Sequence, residues 1–561
     1  MNQDVLKKVE LWKNSPIDKN LREELLSMDE NALMDAFGDD ISFGTAGLRG
    51  IIGVGTNRMN VHIVEKTTLG FYNYMVKKYP DAHERGVVIA YDCRRMSKEF
   101  SLAASKVLTT HGMKVYLFSS LRPTPELSFA VRYLKCAGGI MITASHNPPQ
   151  YNGYKVYDDK GCQLIPELAD LVTKEVNNVK DMFNTLGNKD AELKIIDKEV
   201  DDEYIKMVKT IEVRKDTKKD NIKVVYTPLH GTGCTHMVRL LNEAGYPHIY
   251  PVSEQMIPDG EFSTLRSPNP EESSAFEYAL TLGKLVDADI LIATDPDADR
   301  MGIAALNDNH EYVLLTGNQT GAILLNYLAL NKEHDKSSYV FNTIVTSNIA
   351  KAICDKQNLT LVQTLTGFKY IGEQAELLEG TNKKFFFGYE ESYGCVVAPF
   401  VRDKDSFQAT LLLCEVASYY KEQGKTLVNV LDEIYKEYGY YLEGVQNISL
   451  TGLEGAKKIK RIMDTFANLN LKKVAGKDIV TFENYELSKS ITNGKESLIT
   501  LPKASVLRYI FDDGGYFALR PSGTEPKLKI YIAIVGKDKE DAQSFIEKVK
   551  EELMDIVNNV K

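Results

Sequence analysis

Short apolar strands, each ending in a polar loop and followed by a helical stretch, recur along most of this chain: GVVIAYDCR, MKVYLFS, GGIMITASHNP, NIKVVYTPLHGTG and ADILIATDPDADR. That rhythm predicts an α/β architecture with largely parallel strands. Helical patterns fill the intervals. Lys98 to Thr110 follows one strand, and His236 to Ala244 follows another, with Gly245 as its stop. At 561 residues the chain exceeds the roughly 250–300 residues over which a single core grows, so three or four domains are expected.

The end of the chain reads differently. YFALRPSGTEPKLKIYIAIVG is strand, turn, strand with period-two alternation, and a charged amphipathic helix follows from Lys537 to Asn558. The stretches Lys174 to Asp220, Leu306 to Thr320 and Glu437 to Gly455 are candidate boundaries. They divide the chain into residues 1–205, 206–315, 316–440 and 441–561. The first three are expected as α/β domains with mixed, largely parallel sheets, and the last as a smaller C-terminal α+β domain. No internal sequence repeat is clear.

Charge and composition narrow the function. A formal net charge of −10 disfavours a polyanionic partner such as nucleic acid, while leaving room for local phosphate sites. The most apolar stretches, Val313 to Leu330 and Ala409 to Tyr420, are too short or too polar to span a membrane. The start, MNQDVLKKVELWKNSP, lacks the pattern of a secretory signal. Seven cysteines (93, 136, 162, 234, 354, 395 and 414) without a C-x-x-C pair point to neither a disulfide framework nor a zinc ribbon, so a cytoplasmic protein is expected.

Four loops stand out, each directly after an apolar strand, where open parallel sheets place their ligands. In Thr143-Ala144-Ser145-His146-Asn147-Pro148-Pro149, a hydroxyl sits among small residues and prolines that stop regular structure. Taken alone it could be any turn. No G-x-S-x-G elbow is present, and a phosphorylated Ser145 fits better than a hydrolytic serine. In Asp295-Pro296-Asp297-Ala298-Asp299-Arg300, three carboxylates at alternate positions can converge on one hard cation. An EF-hand is rejected because Arg300 stands where glycine is required and Leu306 where a bidentate acid is required. Magnesium, which takes few carboxylates together with phosphate oxygen, is the expected ion.

The third loop, Gly388-Tyr389-Glu390-Glu391-Ser392-Tyr393-Gly394, offers acceptors for sugar hydroxyls, and reads equally as an exposed acidic turn. The fourth, Arg520-Pro521-Ser522-Gly523-Thr524-Glu525-Pro526, combines a guanidinium, hydroxyls and flexible backbone into a phosphate cradle, and can also be a hairpin connection. No G-x-x-x-x-G-K-[ST] loop exists, and Gly231-Thr232-Gly233 lacks the third glycine of a dinucleotide fingerprint, so neither ATP nor NAD is implied.

In this order the four loops resemble the α-D-phosphohexomutase family, in its phosphoglucomutase branch, over residues 42 to 531. Further matches are Ser42 to Gly50, Thr227 to Gly233, Thr366-Gly367-Phe368-Lys369 and Arg402-Asp403-Lys404-Asp405. The resemblance implies three α/β domains and a smaller fourth around a central cleft. It also implies transfer of a phosphoryl group between two hydroxyls of a hexose monophosphate, through phospho-Ser145 and a bisphosphate intermediate. By the same resemblance Asp295, Asp297 and Asp299 with Ser145 hold one Mg2+ per subunit. Thr45, Arg300, Lys369, Glu390, Ser392, Arg520, Ser522, Gly523 and Thr524 bind substrate. Arg49 and Arg300 neutralise charge, His146 supports the serine loop, and Lys155 exchanges protons with the reacting hydroxyl, which calls for a depressed pKa.

Tyr389 departs from the glycine many relatives carry, and the 366–369 loop lacks the histidine common among phosphomannomutases. The Glu-Glu-Ser form of the third loop resembles that of glucose-preferring members more than dual glucose/mannose ones, which implies glucose 1-phosphate as substrate; glucose 1,6-bisphosphate is the expected activator. A phosphopentomutase on the same scaffold is the alternative, as is an inactive phosphosugar-binding protein. The expected partner is a hexose phosphate, with neither nucleic acid nor membrane, in a monomer or weak homodimer.

Overall fold

A computed structural model describes residues 2–43, 47–450, 452–522 and 527–560. The chain forms two compact units. One comprises Met1–Gly317 with Phe368–Leu427, the other Asn318–Gly367 with Val428–Lys561.

In the first unit, a six-stranded sheet is built from β1 (Leu48–Ile51), β2 (Val87–Tyr91), β3 (Val115–Phe118), β4 (Gly138–Ile142), β5 (Tyr151–Tyr157) and β6 (Leu193–Ile196), in the order β1-β5-β4-β2-β3-β6. Strands β4, β2, β3 and β6 run parallel, while β5 returns antiparallel to β4 and β1 antiparallel to β5. Every residue of β2 and β4 is buried, the pattern of strands covered on both faces. Val87, Ile89, Val115, Ile140 and Ile142 join Phe71 and Phe100 of flanking helices in one core. The lysine-rich stretch after Lys174 is ordered, and β6 within it extends this sheet.

A second sheet repeats the plan with β7 (Val224–Thr227), β8 (Ile249–Pro251), β9 (Ile290–Thr294), β10 (Met301–Leu306) and β11 (Tyr312–Leu315), ordered β11-β10-β9-β7-β8. Strands β8, β7 and β9 are parallel, and β10 and β11 return antiparallel. The expected helix stop at Gly245 holds: its φ of +98° and its N–H bond to Asn242 O at 3.0 Å end the Met237–Glu243 helix.

The second unit contains the parallel pair β12 (Ser338–Thr343) and β13 (Thr360–Thr364). In the first unit, β14 (Lys384–Tyr389) pairs antiparallel with β15 (Cys395–Val396). The C-terminal part of the second unit is an antiparallel sheet, as its alternation predicts. Lys527–Gly536 lies between Tyr440–Ser449 and Tyr516–Pro521. Helix Lys539–Asn559, capped by Asp538, buries Ile546, Val549, Leu553 and Val557 against that sheet.

Candidate active site

Ser145 lies in the loop from β4 to β5 with φ at +50°, a left-handed conformation that costs about 1–3 kcal/mol for a residue with a side chain. Neighbours hold it there. Its N–H donates to Thr143 Oγ1 at 2.8 Å. Arg94, 3% exposed, gathers the loop's carbonyls. Nη2 donates to Ser145 O at 2.6 Å and to Asn147 O, and Nη1 donates to Pro148 O at 2.9 Å and Tyr151 O at 3.0 Å. The planar fork of guanidinium donors makes this possible for one side chain. Sequence reading passed over Arg94, because DCRRMS looks like any polar turn after a strand.

The serine hydroxyl donates to Asp295 Oδ2 at 2.8 Å and lies 3.2 Å from His146 Nδ1. Asp295, Asp297 and Asp299 occupy the β9–β10 loop, all buried, with one oxygen from each within 4.8 Å of the others. The backbone turns them together. Ala298 between them has φ +50°, and the N–H groups of Asp299 and Arg300 donate to Asp295 Oδ1 at 3.1 and 3.0 Å. Thr124 holds Asp297 twice, its N–H donating to Asp297 O at 2.9 Å and its hydroxyl to Oδ2 at 2.8 Å. Thr124 was not singled out from the sequence either, being 173 positions from its partner.

Three buried carboxylates need positive charge nearby. Lys155 Nζ is 2.8 Å from Asp297 Oδ2 and 3.6 Å from Asp299 Oδ2. Lys404 Nζ is 3.0 Å from Asp299 Oδ2 and 3.0 Å from Asp403 Oδ1. Arg300 Nε is 3.7 Å from Asp299 Oδ1, and its Nη1 donates to Glu271 Oε1 at 3.0 Å. Even so, among the described residues Asp297 Oδ1 and Asp299 Oδ1 are buried without hydrogen-bond partners. Burial, with repulsion by Asp299 and Asp297, pushes the Asp295 carboxyl well above its usual range. Orphaned oxygens on converging carboxylates fit a divalent cation bound through oxygen.

One expectation is corrected. Lys155 does not have a depressed pKa: burial would lower it, but Asp297 and then Asp299 outweigh that and hold the ammonium above its ordinary range. The nearby arginines act on His146. Burial, then Arg300 and Arg49, keep that imidazole neutral well below its usual pKa. Arg49 itself is exposed on β1 and donates to Asn147 Oδ1 at 3.0 Å.

The third loop packs on the aspartate loop. Arg300 pairs with Gly394 in an antiparallel bridge, and Met301 N–H donates to Tyr393 O at 3.2 Å. Glu390 is buried, its N–H donating to Gly394 O at 2.9 Å, whereas Ser392 is half-buried. Burial raises the Glu390 carboxyl, opposed by Lys404. Tyr389, 1% exposed, stacks on Phe387 at 5.4 Å. Lys369 is buried in the first turn of the Phe368–Leu377 helix, 5.4 Å from the ring centre of Tyr370.

The fourth loop belongs to the second unit. Arg520 faces Lys529 across the strand pair, and Ser522 N–H donates to Lys527 O at 2.7 Å, a hairpin connection. Thr45, Gly523 and Thr524 lie outside the described residues.

This arrangement defines a class. Models of the phosphoglucomutase/phosphomannomutase family match in succession: α/β/α domain I at residues 40–182, domain II at 202–308, domain III at 316–438 and the C-terminal domain at 456–552. The chain belongs to the phosphoglucomutase/phosphomannomutase family, and it is an enzyme of the isomerase class, a phosphohexomutase.

Its similarity to particular proteins runs the length of the chain. Phosphoglucomutase of Staphylococcus aureus is 38% identical over 538 residues, covering 94% of this chain and 95% of that one. Phosphoglucomutase of Staphylococcus epidermidis is 38% identical over 501 residues, covering 88% and 90%. The fold matches a phosphoglucomutase/phosphomannomutase family protein of Burkholderia thailandensis with TM-score 0.68, at 17% identity over 92% of this chain and 98% of that one. It also matches parafusin, a phosphoglucomutase of Paramecium in its open form, with TM-score 0.68, at 18% identity over 92% and 95%.

Proposed function

We propose that this enzyme is a phosphoglucomutase, interconverting glucose 1-phosphate and glucose 6-phosphate through phospho-Ser145 and a glucose 1,6-bisphosphate intermediate. The observation that carries this reading is the Ser145 hydroxyl, held in a left-handed turn and donating at 2.8 Å to one of three converging aspartates. A hydroxyl so placed meets a cation site at the oxygen that would bear the phosphoryl group. The Staphylococcus relatives, named phosphoglucomutases, supply the hexose.

Asp295, Asp297, Asp299 and Ser145 would hold Mg2+, which when bound neutralises charge developing on the transferring phosphoryl group. The chain's own groups do the rest. Arg94 fixes the serine loop, so the phosphoryl donor is positioned before substrate arrives. The P–O bond at Ser145 breaks as the sugar hydroxyl oxygen bonds to phosphorus. Lys155, held as an ammonium, gives its proton to Ser145 Oγ and recovers one from that hydroxyl. Neutral His146 orients Ser145 without adding charge. Arg49 and Arg300 face the transferring phosphate. Thr45, Lys369, Glu390 and Ser392 read the sugar, and Arg520, Ser522, Gly523 and Thr524 take the non-reacting phosphate. The bisphosphate turns over and returns its other phosphate to Ser145, so glucose 1,6-bisphosphate primes dephosphorylated enzyme.

Domain limits at 1–205, 206–315, 316–440 and 441–561 belong to the same reading. So do a monomer or weak homodimer and a cytosolic location, the latter supported by seven free thiols. Among the described residues no helix is long and apolar enough to cross a membrane.

The deciding experiment is a Mg2+-dependent assay of glucose 1-phosphate conversion with trace glucose 1,6-bisphosphate, beside ribose 1-phosphate and beside Ser145→Ala. Glucose turnover that vanishes in S145A supports the reading. Turnover of the pentose alone would replace the substrate, and full activity in S145A would end the phosphoserine mechanism.

A further inference from the structure

A second buried cluster lies behind the aspartate loop. Glu126 sits in the first turn of the Thr124–Tyr133 helix, Asp201 in the Lys198–Val208 helix, and His236 immediately before the Met237–Glu243 helix. His236 Nε2 is 3.4 Å from Asp201 Oδ1 and 3.8 Å from Glu126 Oε2, and one donor atom from each residue lies within 4.8 Å of the other two. Glu126 is 0% exposed, and among the described residues no group donates a hydrogen bond to either of its carboxylate oxygens or to His236 Nε2. The nearby cation pairs with one member of the cluster. Arg122 donates to Asp201 through Nε at 2.9 Å and Nη2 at 3.1 Å, and to Asp197 Oδ1 at 3.3 Å.

A buried carboxylate with both oxygens orphaned is costly unless something replaces the lost water. A proton or a cation can do so. Four-coordinate zinc, with bonds of about 2.0–2.2 Å, sets its ligand atoms roughly 3.3–3.6 Å apart, close to the spacings found here. Imidazole with two carboxylates suits a first-row transition ion and not magnesium or calcium. We propose that Glu126, Asp201 and His236 form a second metal site, for Zn2+ or a similar first-row divalent ion, separate from Asp295, Asp297 and Asp299.

One atom each from Glu126, Asp201 and His236 supplies three ligands, which leaves a fourth position to a water molecule. Arg122 stays on Asp201 as the outer partner that orients this ligand. Burial, followed by the Asp201 charge, raises the Glu126 carboxyl, so a bound ion displaces its proton. The site ties three helices together two residues from Thr124, which holds Asp297. It braces the aspartate loop from behind.

The test uses the full-length protein in excess Mg2+, which occupies the oxygen-only site, followed by Co2+ addition and gel filtration. One Co2+ per chain, with the visible absorption of a four-coordinate ion, is expected in the wild type and lost in Glu126→Gln and His236→Gln. E126Q keeps the size of the side chain and mimics a protonated carboxyl, so it should fold even if H236Q does not. Retention of no Co2+ by the wild type would overturn the proposal. So would E126Q that keeps its Co2+ and its absorption, leaving a hydrogen-bonded cluster only.

Discussion

At the scale of single residues, the site works through groups that hold the reacting ones. Thr124 is the clearest, since it bonds Asp297 through both hydroxyl and N–H. Removing a partner of this kind lowers metal affinity by about 10–100-fold. Thr124→Val should do so in a Mg2+ titration followed by calorimetry while leaving circular dichroism unchanged; unaltered affinity would show that the backbone bond suffices. Glu443, in the Tyr440–Ser449 strand, gives a pH prediction. Burial pushes its carboxyl up to about 7, offset in part by a bond from Ser347. The folded state then holds a proton that the unfolded state releases near pH 4.3. The sign follows: stability is full below that value and declines as pH rises towards 7. Glu443→Gln should flatten this decline and be the more stable protein at pH 8, as read by thermal melts across pH.

At the scale of elements, one arrangement occurs three times in the first unit. A strand delivers a loop, and an antiparallel strand carries the chain away: β4 to β5 with Ser145, β9 to β10 with the aspartates, β14 to β15 with Glu390. Each loop contains a left-handed residue that is not glycine: Ser145, Ala298 and Tyr393. Their strain is sustained by neighbours, and this makes two substitutions informative. A Cβ on Gly231 would lie 2.4 Å from Pro296 Cα, backbone that cannot yield without moving the aspartates. Gly231→Ala should cost about 1–3 kcal/mol and weaken Mg2+ binding together; a stable variant with normal metal affinity would contradict this. Arg94→Lys replaces a fork that reaches four carbonyls with a single ammonium. It should lower kcat far more than it changes KM, because the serine loop, not the sugar site, loses its support.

At the scale of the whole molecule, the division into two units separates the chemistry. Among the described residues every candidate metal carboxylate cluster lies in the first unit, and Arg520 lies in the second. Mg2+ at a hundredfold over its Kd adds about 2.7 kcal/mol to whatever binds it. In scanning calorimetry it should raise one transition and leave another in place. A uniform shift would mean that the two units unfold together.

How much of this was legible in the sequence differs by kind of feature. Strand type, loop position and the three aspartates were readable because each depends on neighbours a few residues away: apolar periodicity, the strand end, and alternate carboxylates around a small residue. Trp12 and the N-terminal helices that bury it with Phe37 gave no comparable functional signal. Arg94, Thr124 and the Glu126–Asp201–His236 cluster were not readable. Their partners lie tens to more than a hundred residues away, and only the packed sheets bring them together. The protonation of Lys155 belongs with them. A pKa is set by which charges stand within a few ångströms, and the fold placed Asp297 and Asp299 there, where sequence reading had expected other cations. Sequence by itself determined the architecture and the chemical types in each loop, because those are local properties. The tertiary structure alone decided which charges meet and what holds them, because electrostatics and packing act through space and not along the chain.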